Sequence, residues 1–261
     1  MDTKQTRVVA IVNEKGGVGK TVTAINLGAA LSRKGQKVLV VDMDPQFNAT
    51  KGLGVEIDEK MLTTYDLITD DKSISPEDSI LHTKWTGLDL IPSHVDLAGA
   101  EIELIDEEGR ENRLAEALES ITAGYDFVIL DTPPSLSLLT VNVFVCANEV
   151  IVPCQTHPYA FGALEQLFDT INTVKEEINP DINITGIVAT FFDKRTRISP
   201  RIMEQLKNDD RYKDLLFNTV IRVNTTIAES ADVGKPVVFF RQSSYGACDY
   251  SNLAEELLAQ D

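Results

Sequence analysis

Residues 8–21 read VVAIVNEKGGVGKT: an apolar β-branched run, a turn with three glycines, and the ending Gly-Lys-Thr. The run predicts a buried strand, and the helical periodicity that follows predicts a helix opening at Lys20. A strand, a glycine-rich turn and a helix start together present backbone N–H groups and the positive end of a helix dipole to a polyphosphate. Gly16, Gly17 and Gly19 let that backbone approach closely, with Val18 and Val22 completing the cradle. In such a loop Lys20 reaches the β- and γ-phosphates and the Thr21 hydroxyl meets Mg²⁺. One position departs from the common spacing G-x-x-x-x-G-K-[ST]: the first glycine is replaced by Glu14, and Lys15 follows it.

Outward from the loop, apolar runs predict further strands at 37–42, 125–131, 148–153, 183–190 and 217–221, beside the first at 7–12. Helical periodicity predicts helices at 20–34, 160–178, 199–208 and 247–259, with weaker signals at 58–68 and 94–122. Strands apolar on both faces and joined by helices imply an α/β fold, a doubly wound and mostly parallel sheet flanked by helices. A chain of 261 residues suits one such domain spanning 1–261.

The formal charge of −17 argues against a diffuse polyanion-binding surface, so any nucleic-acid contact has to be local. Cys146, Cys154 and Cys248 have no paired spacing, which supports neither a disulfide framework nor a metal cluster. No run approaches the roughly 18 apolar residues of a membrane span, so a soluble, cytoplasmic protein is expected. The C-terminal SNLAEELLAQD is acidic, against a basic membrane-binding helix.

Lys15 fits the pattern x-K-G-G-x-G-K-[ST], and with it the chain resembles the MinD/ParA group of P-loop ATPases that carry a deviant Walker A motif. VLVVDMDPQFNAT at 38–50 is similar to the first switch of ParA/Soj-type partition ATPases, FVILDTPPS at 127–135 to their Walker B strand and second switch, and VGKPVVFF at 233–240 to a late block. The matches run in family order along nearly the whole chain.

The resemblance implies a slow ATP hydrolase with ATP and Mg²⁺ as cofactors. Residues 16–22 cradle the phosphates, Asp131 holds Mg²⁺ with Thr21, Asp42 supports the metal shell, and Asp44 orients the attacking water. Lys15 is expected to reach phosphates on the other subunit of an ATP-bound homodimer, and Asn224 to lie on the nucleotide side. The family implies further partners, a ParB-like activator and non-specific double-stranded DNA, with nucleoid association of the ATP form and no membrane. Lys194, Arg195, Arg197 and Arg201 are the expected DNA contacts, Arg195 in the family's D-x-R-T segment. The alternative is a positioning protein for cargo other than DNA, such as a chemotaxis array.

Four positions depart from the family pattern. Phe47 replaces a usual glycine, His157 a common acidic residue, Arg222 a proline near the base, and Thr226 an arginine that contacts DNA in some members.

Overall fold

The computed structural model describes residues 5–69 and 74–260; residues 1–4, 70–73 and 261, part of the expected 1–261 unit, lie outside them. The strands are β1 (Arg7–Ile11), β2 (Val38–Asp42), β3 (Leu81–His82), β4 (Leu88–Ile91), β5 (Phe127–Asp131), β6 (Glu149–Gln155), β7 (Asn183–Phe192) and β8 (Leu216–Arg222). The helices are α1 (Lys20–Arg33), α2 (Asn48–Gly52), α3 (Thr64–Thr69), α4 (Leu97–Glu103), α5 (Arg113–Thr122), α6 (Leu138–Cys146), α7 (Ala160–Glu177), α8 (Ile198–Asn208), α9 (Thr225–Asp232), α10 (Val237–Phe240) and α11 (Tyr245–Leu258). A short 3₁₀ turn, Pro76–Ser79, precedes β3.

The strands form one sheet in the order β3-β4-β2-β5-β1-β6-β7-β8, parallel except for the antiparallel β3 at its edge. Successive strand residues point to opposite faces, and both faces are covered. On β1, Val8 and Ala10 join the core under α4 to α8, whereas Val9 and Ile11 join the core under α1, α10 and α11. Gly28 permits the close approach of α1: a Cβ there would lie 3.2 Å from Val40 Cγ2.

The expected doubly wound sheet is present, and the strands and helices expected outside 55–120 lie within about two residues of their predicted limits. The region 55–120 differs. The signal at 58–68 yields helix only at Thr64–Thr69, because Asp58 turns the chain instead, its side chain accepting from Lys60 N at 2.8 Å and its carbonyl from Met61 N. The signal at 94–122 splits into α4 and α5, separated by a segment containing Gly109 at φ 72°.

The strands β3 and β4 and the helices α2, α6, α9 and α10 were not expected, and two of them, β4 and α6, are deeply buried. The strand β4 is only four residues, LDLI, inside an acidic stretch. The helix α6, LLTVNVFVC, is apolar all round and rich in β-branched residues, so its sequence has no helical stripe.

Candidate active site

The carboxyl ends of β1, β2 and β5 converge on the loop that leaves β1, the edge where open parallel sheets bind ligands. Gly17 at φ 76° and Gly19 at φ 94° adopt left-handed conformations that a side chain would strain. The loop is tied down from below. Asn13 Nδ2 donates to the Pro153 carbonyl at 2.8 Å, Asn13 Oδ1 accepts from Lys15 N at 2.9 Å, and Thr190 Oγ1 donates to the Val18 carbonyl at 2.8 Å. The Phe191 ring packs below Gly19, its own backbone at φ 50°.

These anchors were not among the expected site residues. Asn13, next to a strand end, was the one with a signal in the sequence. Gly16 and Gly17 remain exposed above the anchors, open to a ligand. The first intrahelical bond runs from Thr23 N to the Gly19 carbonyl, so Lys20, Thr21 and Val22 supply the N–H groups of a helix start.

Lys20 is buried, and its Nζ donates to the Lys15 carbonyl at 3.3 Å. Burial pulls its pKa down, while the charges of Asp131 and Asp44 oppose that shift. The Lys15 side chain is half-buried and close enough to Cys154 for its charge to act on that thiol.

Asp131 ends β5 fully buried, and neither carboxylate oxygen has a hydrogen-bond partner among the described residues. Burial first, then the charge of Asp42, raises its pKa well above the ordinary carboxylate value. Thr21 and Lys20 favour the ionised form, although Thr21 makes no hydrogen bond to the carboxylate. A buried, unpartnered carboxylate next to a hydroxyl and an ammonium is costly unless a cation completes it, which fits a hydrated Mg²⁺.

Asp42 differs from Asp131 in that its oxygens are engaged. Oδ2 accepts from Thr50 N at 2.8 Å and Thr50 Oγ1 at 2.7 Å, and Oδ1 accepts from Asp44 N at 3.1 Å. Burial, against these hydrogen bonds, pushes its pKa up to about 6. Thr50 Oγ1 also accepts from Ser93 N at 3.1 Å. Asp42 therefore holds the segment after β2 onto the sheet. Asp44, 7% exposed, turns back on itself through Gln46 N, which donates to Oδ1 at 2.9 Å.

The four departures have local structural settings. Phe47 sits at φ 45°, the left-handed conformation a glycine takes without strain, and its ring lies 3.6 Å from the Lys51 ammonium. Arg222 is held by Asp249, with Nη2 to Oδ1 at 2.5 Å, and its guanidinium lies 4.2 Å from the centre of the Tyr245 ring. Thr226 is buried in the first turn of α9, where its N–H donates to the capping Asn224 Oδ1 at 2.8 Å. His157 stacks obliquely on Tyr159 at 5.5 Å, its buried Nδ1 having no hydrogen-bond partner among the described residues.

The basic stretch begins directly after β7, whose Thr190 and Phe191 pack on the phosphate loop, and runs into the first turn of α8. Arg195 is 80% exposed and forms a two-pronged ion pair with Asp193, whose pKa it lowers to about 2. Arg197 and Arg201 stand one helical turn apart across the start of α8.

Gly54 and Gly234 cross backbone to backbone. A Cβ on Gly54 would lie 2.6 Å from the Gly234 carbonyl oxygen, and one on Gly234 would lie 2.6 Å from Gly54 Cα. The turn after α2 and the turn after α9 meet there without side chains.

A glycine cradle at a helix start, a buried lysine and a strand-end aspartate on a parallel sheet define a P-loop nucleotide hydrolase. The chain matches the AAA domain family model over residues 6–184. It is 42% identical to the sporulation initiation inhibitor protein Soj of Bacillus subtilis, covering 97% of this chain and 98% of that protein. It is 40% identical to the chromosome partitioning protein ParA of Myxococcus xanthus, over 98% of this chain and 89% of that one.

Among solved structures, cobyrinic acid a,c-diamide synthase from Mycobacterium smegmatis with bound ADP and magnesium superposes with a TM-score of 0.84 at 35% identity, covering 98% of this chain and 95% of that chain. The cell division ATPase MinD of Pyrococcus furiosus does so with a TM-score of 0.81 at 25% identity, covering 98% and 100%. The chain belongs to the Soj/ParA family of ATPases. Among the described residues no helix is long and apolar enough to cross a membrane.

Proposed function

We propose that this ATPase is a partition switch that dimerises on ATP, binds DNA without sequence preference as a dimer, and is released when a ParB-like partner stimulates hydrolysis. The observation that carries the hydrolytic part is the buried, unpartnered Asp131 carboxylate beside Thr21 and Lys20. Thr21 and Asp131 would hold Mg²⁺, which supplies charge neutralisation to the phosphates when bound. The N–H groups of residues 16–22 bind the phosphate oxygens, and Lys20 exchanges the Lys15 carbonyl for them.

Asp44 orients and accepts a proton from the attacking water once its carboxylate is free of the Gln46 N–H. Asp42 places it by holding Asp44 N. Lys15 acts across a dimer on the partner's phosphates, adding positive charge where negative charge develops. Asn224, whose Oδ1 caps α9, belongs to the nucleotide side through its remaining amide group.

Lys194, Arg195, Arg197 and Arg201 support the DNA-binding part, as a local cationic patch on an otherwise anionic chain. The competing reading, a switch for a cargo other than DNA, is favoured by the neutralisation of Arg195 by Asp193 and by Thr226 in place of an arginine. Titration of Asp44→Ala with ATP and Mg²⁺ against random-sequence duplex DNA, beside Arg195→Glu, separates the two. ATP-dependent, salt-sensitive binding lost in the Arg195 variant supports partition on DNA. A dimer that ignores DNA at low salt supports the other cargo.

A further inference from the structure

Among the described residues only Phe47 and Phe191 have a positive φ without being glycine. Phe47 closes the turn that carries Asp44. Its N–H donates to the Asp44 carbonyl at 2.8 Å and its carbonyl accepts from Lys51 N at 3.1 Å, with the backbone between them at φ 45° and ψ 40°. A bulky side chain disfavours that left-handed backbone, so a half-buried phenylalanine stays there only if its surroundings hold it. Two rings and a cation meet at this point. The Lys51 ammonium lies 3.6 Å from the centre of the Phe47 ring, and the ring of His94, from the loop after β4, lies 6.1 Å from it.

Lys51, one helical turn beyond Phe47, also donates from Nζ to the Gln46 carbonyl at 3.5 Å, a long hydrogen bond. Gln46 is the residue whose N–H occupies Asp44 Oδ1. One ammonium thus secures both the ring and the peptide of the turn that keeps Asp44 engaged. We propose that Phe47 and Lys51 are positioning residues that latch this turn and set how often the Asp44 carboxylate becomes free for water. The proposal deepens the reading that Asp44 orients the attacking water, and rests on it.

Freeing Asp44 requires the 44–47 turn to open. The left-handed strain at Phe47 favours opening, and the contacts of its ring oppose it. With the closed form dominant, weakening the latch raises turnover in proportion to the open fraction. ATP affinity is left alone, because the phosphate loop is a separate segment. An exposed cation–π contact shifts such an equilibrium by about two- to fivefold.

The test measures hydrolysis per dimer at saturating ATP and Mg²⁺, the KM for ATP, and amide exchange of residues 44–48 in the full chain. Lys51→Met is expected to raise kcat about two- to fivefold. Phe47→Leu, which keeps the strained backbone and loses the ring, is expected to raise it about three- to tenfold, KM staying within about twofold in both. Lys51→Arg and Phe47→Tyr preserve the cation and the ring and are expected to match the wild type. The Gln46 amide is expected to exchange faster in Lys51→Met and Phe47→Leu. Neither substitution is expected to raise turnover in an Asp44→Ala background.

A kcat unchanged or lowered in folded Lys51→Met and Phe47→Leu, with Asp44→Ala inactive, overturns the latch and leaves Asp44 in its role. A rise that is as large in Lys51→Arg, or that persists in the Asp44→Ala background, overturns it as well. Full turnover in Asp44→Ala alone removes the reading beneath the latch, and the latch with it.

Discussion

Asp42 and Asp131 are register partners on the neighbouring parallel strands β2 and β5, both fully buried. The charge of Asp42 makes Asp131 harder to ionise, beyond the cost of burial. An acid whose folded pKa lies above its unfolded value contributes stability in the protonated form. That contribution is full below the unfolded pKa and lost as pH rises through the folded one. For Asp42 the window runs from its ordinary 3.8 to about 6. Asp131→Asn is therefore expected to melt higher than the wild type at pH 7 without nucleotide, by about 1–3 kcal/mol, and to narrow the gap towards pH 4. Thermal unfolding across that range checks it. The same variant is expected to lose the Mg²⁺-dependent part of ATP affinity.

Lys20→Ala and Lys15→Ala are expected to fail in different ways. With Lys20 proposed to act on phosphates bound in its own loop, its loss is expected to abolish ATP binding, read by a fluorescent nucleotide. Lys15→Ala is expected to retain ATP binding within a few-fold and lose the dimer, with turnover falling by about 10²–10³. Asp44→Ala is expected to bind ATP and stay dimeric in sedimentation runs. A monomeric Asp44→Ala protein with ATP bound would remove Asp44 from the role of orienting water.

The pair Arg195 and Asp193 predicts a gain of binding. Asp193 ties down both ends of the exposed guanidinium. Asp193→Asn frees it and removes a negative charge, and is expected to tighten duplex DNA binding several-fold at low salt. Plots of log affinity against log salt should have a slope of about −4 to −6 per dimer, with Arg195→Glu markedly shallower.

Phe47 at φ 45° sets two costs against each other. Phe47→Gly relieves a left-handed backbone but loosens the unfolded chain and forfeits the contact with Lys51, so stability is expected to change by less than about 1 kcal/mol. Phe47→Val keeps the strain and adds β-branching at that backbone, and is expected to cost about 1–2 kcal/mol. Chemical denaturation of the two variants provides the comparison.

Much of this site was legible in the sequence, because the phosphate loop is built from local backbone demands. Gly17, Gly19, Lys20 and Thr21 follow one another in the chain, and their roles depend on little else. What stayed hidden depends on residues distant in sequence. Nothing near Thr190 says that its hydroxyl will hold the Val18 carbonyl, 172 positions away. The family resemblance placed Asp42 in support of the metal shell, while the hydrogen bonds from Thr50 that occupy it arise only after α2 folds back. Among the elements missed, β4 and α6 are those whose two-sided burial erases the periodicity by which strands and helices are distinguished.

The crossing of Gly54 over Gly234 has a consequence for mutational tolerance. The turn after α2 leads back to the segment that Asp42 clasps, and the turn after α9 leads back to Asn224, so these two segments share one bare point of contact. A saturation library scored for ATP retention should show these two glycines as cold spots that accept no side chain, although neither belongs to the phosphate loop. Paired substitutions should fail as completely as single ones, because there is no volume there for one residue to yield to the other.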